Sequence, residues 1–290
     1  LRICVEEGLD AVTAIRMATL NAAECFDLKD RGAIAPGYRA DVVLLDDLKD
    51  FHVNRVFIQG ALVAEEGKYL PEIKRYDIST VKGSVIVKDF SAEKFKMHLK
   101  SNKVNVIKIL PGGVVTAKDT AEIQLDENGE FVRNPEEDIV KVAVVERHQG
   151  TGNVACGFLK GYGIKAGAVA LSIAHDSHNI IVVGVSDEEM EFAVNSLIAQ
   201  EGGMVLVREG KVLESMPMPI AGLMSDQSGE WVDEKLTAIH AKAYEELGIA
   251  GDVEPVMTLC FMSLAVIPEV KLTDMGLFDV TTFSFIPVEA

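Results

Sequence analysis

The sequence predicts an α+β fold. Strand-like segments outnumber helical ones, and they follow one another rather than alternating with helices in a βαβ series. At 48% hydrophobic residues over 290 positions, the chain can also bury a sizeable core in one large domain or two smaller ones.

The elements follow in order. LRICVEEGLD reads as the last turns of a helix, stopped at Gly8. In DAVTAIRMATL (10–20), Val12, Ile15 and Leu20 share a helical face with small Ala14 and Ala18, and Asp10 is an N-cap. NAAE places Glu24 three residues after Asn21, a weaker relative of the capping box that predicts a second helix start. KDRGAIAPG (29–37) breaks helicity, and ADVVLLD (40–46) reads as a buried strand. RVFIQGALVAEEG (55–67) is a hairpin turning at Gln59-Gly60. The pattern then loosens through 71–80, which reads as a linker. Strands are expected at 83–87, 104–110, 121–126, 138–147, 167–174 and 179–185. A helix capped by Ser186 and ended by Gly202 follows, then a hairpin over 203–218 turning at Glu209-Gly210. An amphipathic helix over 233–248 and a buried strand over 259–270 complete the series.

Charge and cysteine usage narrow the function classes. The net charge of −17 repels polyanions, so nucleic acid is not an expected partner. No apolar run of membrane-spanning length is present, so neither is a membrane. Cys4, Cys25, Cys156 and Cys260 show no CxxC spacing, which reads as buried free thiols of a cytoplasmic protein.

Two stretches carry a family resemblance. ATLNAAECFDLKDRGAIAPGYRADVVLLDD (18–47) resembles the end of an amidohydrolase-superfamily enzyme. Gly32, Pro36 and Gly37 turn the chain there, and Val42 to Leu45 would fill a sheet core. VVERHQGTGNVACGFLKGYGIKAGAVALSIAHDSHNIIVVG (144–184), with PIAGLMSD (219–226) and VIPEVKLTDMGLFDV (266–280), resembles the additional C-terminal domain of the bacterial-type adenine deaminase family. The resemblance implies that 1–70 are the last helices of a TIM barrel with part of a β-sandwich. It makes 71–80 a linker and 81–290 an α+β domain with a mixed sheet. It implies an enzyme that hydrolyses adenine to hypoxanthine and ammonia through a metal-activated water. Manganese or iron would be the divalent metal, and the enzyme a homo-oligomer. The family's metal-binding pattern maps onto no position of this chain. The chain is therefore expected to be the C-terminal portion, inactive alone. A stand-alone, non-catalytic interaction or regulatory module is the alternative. The zinc-deaminase pattern of HxE with PCxxC is absent.

The densest polar constellation joins two windows, Glu146-Arg147-His148 and His175-Asp176-Ser177-His178-Asn179. Both sit where a strand runs out. Three readings stand side by side: a hydrogen-bonded network closing a sheet end, a ligand or barrel-mouth contact, or a separate metal site at His148, His175 and His178. HQGTGN (148–153) is glycine-rich enough to cradle an anion on backbone N–H groups, but lacks the phosphate-loop ending and reads first as a turn. His52, His98 and His240 are isolated. Met216, Met218, Met224, Met257 and Met262 read as packing fillers, and NPEEDIV (134–140) as a solvated turn.

Overall fold

The computed structural model describes residues 1–290 and divides into two compact units, Leu1–Tyr76 and Asp77–Ala290.

In the first unit, α1 (Arg2–Glu6) leads to α2 (Ala11–Arg16), whose N-terminus Asp10 caps by accepting the Thr13 N–H. A π-helical turn (Met17–Asn21) runs straight into α3 (Ala22–Cys25). Asn21 is therefore no N-cap: it has helical dihedrals, and its side chain caps nothing. The helix widens by one residue there instead of restarting. β1 (Val42–Leu45), β2 (Val53–Ile58), β3 (Ala61–Glu65) and β4 (Lys68–Tyr69) form an antiparallel sheet in chain order. Gln59 and Gly60 turn the hairpin with positive φ at both positions. β1 is not buried as expected, for Val43 and Leu44 remain exposed. With four strands and three short helices, this unit has too little second layer to cover the sheet.

The second unit is built on an eight-stranded mixed sheet, in agreement with the α+β class expected. Its strands begin with β5 (Lys103–Ile109) and β6 (Thr116–Glu122). The small hairpin β7 (Gln124–Leu125) and β8 (Phe131–Val132) forms a sheet of its own, after Ile123 breaks the expected 121–126 strand. Then come β9 (Ile139–Val145), β10 (Val154–Lys160), β11 (Ala168–Leu171) and β12 (Ile180–Gly184). Helix α4 (Asp187–Ala199) follows, then the hairpin β13 (Gly203–Arg208) and β14 (Lys211–Pro217), turning at Glu209 and Gly210. Next are α5 (Gly229–Glu245) and α6 (Pro255–Cys260), and last a three-stranded sheet of β15 (Val270–Thr273), β16 (Gly276–Asp279) and β17 (Ser284–Ile286). The large sheet runs β14-β13-β11-β12-β9-β10-β5-β6; only the β10–β5 pair is parallel.

Alternation along the central strands sorts their side chains to two faces. Val140, Val142 and Val144 of β9, with Val169, Leu171, Ile181 and Val183, pack with Ile239, Ala243 and Leu259 from α5 and α6. Ala143, Val145, Ala168, Ala170, Ile180 and Val182 pack beneath Met190, Ala193, Val194 and Leu197 of α4. Small residues let α4 settle close. A Cβ added at Gly184 would lie 2.6 Å from Met190 Cγ. Ser186 caps α4 through the Glu189 N–H. Lys141, alone among the apolar residues of β9, reaches the same helix end, donating to Asp187 Oδ1 at 2.7 Å and to the Phe95 carbonyl at 3.0 Å.

Five further expectations need correction. Residues 83–87 form no strand; the Ile86 N–H makes a single hydrogen bond to the Arg147 carbonyl. Residues 259–270 are not one strand, because Glu254 caps a helix whose first residue is Pro255, and strand geometry resumes only at Val270. α5 starts earlier than 233, where Ser228 caps it. Cys4 and Cys25 are exposed, as are Met224 and Met257, whereas Cys260 is buried. No helix is long and apolar enough to cross a membrane.

Candidate functional site

Strand register assembles the site. Val145, the last residue of β9, lies opposite both Val154 of β10 and Ile180 of β12. The loops 146–153 and 172–179 therefore leave the same end of the sheet, bringing together two windows some thirty residues apart in sequence. The turn between β15 and β16 meets them there. Asp274 accepts from Asn179 Nδ2 at 3.2 Å and from Asn153 Nδ2 at 3.4 Å.

Glu146 explains the glycine-rich loop. Its carboxylate accepts from the backbone N–H groups of His148, Gln149 and Thr151 at 2.5, 2.7 and 2.9 Å, and from Thr151 Oγ1 at 3.0 Å. The anion cradle suggested by HQGTGN thus exists and is filled by the protein's own carboxylate. Burial opposes ionisation, but these four donors outweigh it and hold the Glu146 carboxyl at about 2.

Arg147 is the hub. It is 1% exposed and gives its side-chain hydrogen bonds only to backbone carbonyls. Nε donates to His178 at 2.5 Å, Nη1 to Ser84 at 3.4 Å, and Nη2 to Ala221 at 3.2 Å and Ser172 at 3.5 Å. A fixed guanidinium fork thereby ties three separate segments, around Ser84, the 172–179 loop and Ala221, to the sheet end. Burial lowers its pKa, with no carboxylate partner to offset the effect. Gly222 must lack a side chain here: with φ +71°, an added Cβ would fall 2.7 Å from Arg147 Nη1.

The histidines line the rim above this hub. His148 is exposed, and its Nε2 lies 2.8 Å from the Ser177 carbonyl, so that nitrogen carries the proton. His175 and His178 meet edge to face with ring centroids 5.3 Å apart, and His175 leans on Phe261 at 4.7 Å. Asp176 points to solvent, 3.9 Å from His175 Nδ1. Asn179 is buried and accepts the Arg147 N–H at 3.3 Å. All eight residues of the two windows therefore gather at one sheet end, yet the three histidines do not converge on a point. No group of three His, Cys, Asp or Glu side chains is placed to hold a metal ion. The divalent metal implied by the resemblance does not fit the residues of this chain.

Sequence reasoning missed Asp274, Asn153, Ser172 and Gly222. All four lie within stretches already quoted for their resemblance. Their role came from the fold alone. The other histidines each meet a carboxylate: His52 with Asp46 at 2.6 Å, His98 with Glu130 at 2.9 Å and His240 with Glu254 at 2.5 Å. Burial pushes the Cys156 and Cys260 thiols up to about 12, so neither is a nucleophile near neutrality.

The comparisons with known proteins agree with this anatomy. The family model described as adenine deaminase C-terminal domain matches residues 113–284, and the amidohydrolase family model matches residues 1–63. The chain is 66% identical over 290 residues to adenine deaminase 2 of Desulfotalea psychrophila, and 50% identical over 289 residues to adenine deaminase of Ligilactobacillus salivarius. It is 41% identical over 292 residues to adenine deaminase of Bacillus pumilus. Each match covers 100% of this chain and 50% of the relative, so the chain spans about half the length of the curated relatives it matches. The loops meeting at Arg147 lie mostly inside the first matched segment, and the chain belongs to the adenine deaminase C-terminal domain family.

Proposed function

We propose that this chain is the C-terminal half of an adenine deaminase that hydrolyses adenine to hypoxanthine and ammonia. The observation that carries the reading is the 66% identity along the full chain to a relative named adenine deaminase 2, of which the match covers half. Under this reading, the divalent metal belongs to polypeptide outside these residues. The present chain contributes a rigid domain whose Arg147-centred end shapes a polar rim of His148, His175 and His178. A cytoplasmic, homo-oligomeric enzyme is part of the same proposal.

The test is complementation. The purified chain should turn over no adenine with manganese added, and co-expression with the remaining half of a close relative's polypeptide should restore ammonia release. Turnover by the chain alone would overturn the proposal, and so would a correctly assembled pair without activity. In that assembled enzyme, His148→Ala, His175→Ala and His178→Ala separate a substrate-facing rim from a packing rim. A rise in KM in any of them marks contact with substrate.

A further inference from the structure

His178 stands in an environment built for a neutral ring. Its Nδ1 is sealed from water and has no hydrogen-bond partner. Its carbonyl accepts from Arg147 Nε, and its N–H donates to the Ala174 carbonyl at 2.7 Å. Its φ of +53° places it at the tight point of the turn. A bare imidazole nitrogen tolerates such a site, whereas an N–H there would be a buried donor without an acceptor.

The neighbouring charges also disfavour a cation. Arg147 lies against the turn, with its guanidinium engaged only by carbonyls. His148 and His175 flank it from the end of β9 and from the turn itself. Glu146 is locked into its own loop amides, and Asp274 is occupied by Asn153 and Asn179. From the 3-10 turn after α6 comes only the uncharged Phe261 ring, against His175. Exposed Asp176 is the one carboxylate favouring protonation, and solvent screens it. We propose that the Ala174–Asn179 turn is an acid-released latch: when the turn lets go of Arg147, His178 Nδ1 takes up a proton from solvent, and the charged ring then holds this end of the sheet open. Burial first, then His175 and Arg147, push the imidazole below its ordinary 6.5, consistent with a ring that charges only once the turn lets go. A charged ring is accommodated in the open turn and excluded from the closed one, so the closed population falls as pH drops below that ordinary value.

The test is amide hydrogen exchange on the whole chain at about pH 7.5 and about pH 5, corrected for intrinsic rates. At the acidic pH, exchange at Ser177, His178 and Asn179 should rise by about tenfold or more. His178→Asn keeps a residue that accepts positive φ but cannot titrate in this range, and it should abolish the rise. His98→Asn, a histidine paired with Glu130 away from this turn and likewise at positive φ, should retain it. Unchanged exchange in the wild-type chain, or an undiminished rise in His178→Asn, overturns the latch. A second readout needs no variant: in histidine ring titration by NMR, His178 must protonate below the ordinary 6.5, and a midpoint at or above that value also overturns it.

Discussion

Replacing Glu146 with Gln tests whether the loop at the sheet end is held by a carboxylate or merely contains one. The carboxylate accepts four hydrogen bonds, three of them from backbone N–H groups. A glutamine amide keeps one acceptor oxygen and turns two donors toward a ring of donors. At least two bonds to a charged group are lost, each worth about 1.5–3 kcal/mol, and an amide faces amides. The depressed pKa, which arises from the same four donors, gives a figure of similar size. A carboxyl held at about 2 against an ordinary 4.5 corresponds to about 3 kcal/mol of stability at neutral pH. Because the folded value is the depressed one, that stability is complete above 4.5 and drains away as pH falls toward 2. Denaturant unfolding of both forms should thus show Glu146→Gln less stable by about 3 kcal/mol at neutral pH, with the gap closing toward pH 2. A difference below about 1 kcal/mol, or one independent of pH, refutes the nest as an electrostatic device.

Three other consequences are directly measurable. Lys271 is fully buried, and burial depresses its pKa from 10.5 to about 8 with only the Val114 carbonyl at 3.1 Å as partner; Lys271→Met should leave neutral-pH stability unchanged or raise it by up to about 3 kcal/mol, whereas the wild-type chain alone gains stability as pH climbs from 8 toward 10.5. Gly222→Ala drives a methyl onto Arg147 at a positive φ and should cost about 2 kcal/mol or more in thermal or denaturant unfolding. The first unit exposes Ile34 at 91% and Phe26 at 76% beside an apolar cavity of about 700 Å³ lined by Ile15, Ala22, Val42 and Val53, so the chain should self-associate, and Phe26→Asp with Ile34→Asp should reduce this; a monomeric wild-type chain in sedimentation would refute it.

What the sequence revealed depended on how local each signal was. The caps at Asp10 and Ser186 and the turns at Gln59-Gly60 and Glu209-Gly210 are settled within four residues, and the structure has each of them. β10 was invisible because VACGFLK carries a glycine and small residues where a strand would show bulk. That thinness has a tertiary cause: a Cβ at Gly157 would sit 3.3 Å from Leu277, since the C-terminal sheet lies directly on the strand. Residues 259–270 misled for the opposite reason. A short apolar run has no periodicity to separate strand from buried helix, and Pro255 with its Glu254 cap lay just outside it. The polar windows were legible as composition, but their meeting was not. It follows from which residue of β12 stands opposite Val145, and no local pattern encodes that pairing.

The character of the site then turns on which groups remain free. Glu146 is consumed by its own loop, Asp274 by two asparagines, and Arg147 by four carbonyls. Each of these charges is spent on the loops' own backbone and side-chain groups, not on an open cavity, which is how a protein fixes loop shape rather than how it prepares a general acid or base. The side chains left at the surface are His148, His175 and Asp176, held on turns that those buried charges make rigid. Under the proposed function such a rim would present groups to an occupant, and its affinity for that occupant would depend on loops staying closed. Loosening the hub should therefore weaken whatever the rim contacts even when every rim side chain is intact. Arg147→Lys is the informative change: a lysine keeps the charge but cannot span four carbonyls, and it separates the geometry of the hub from its charge.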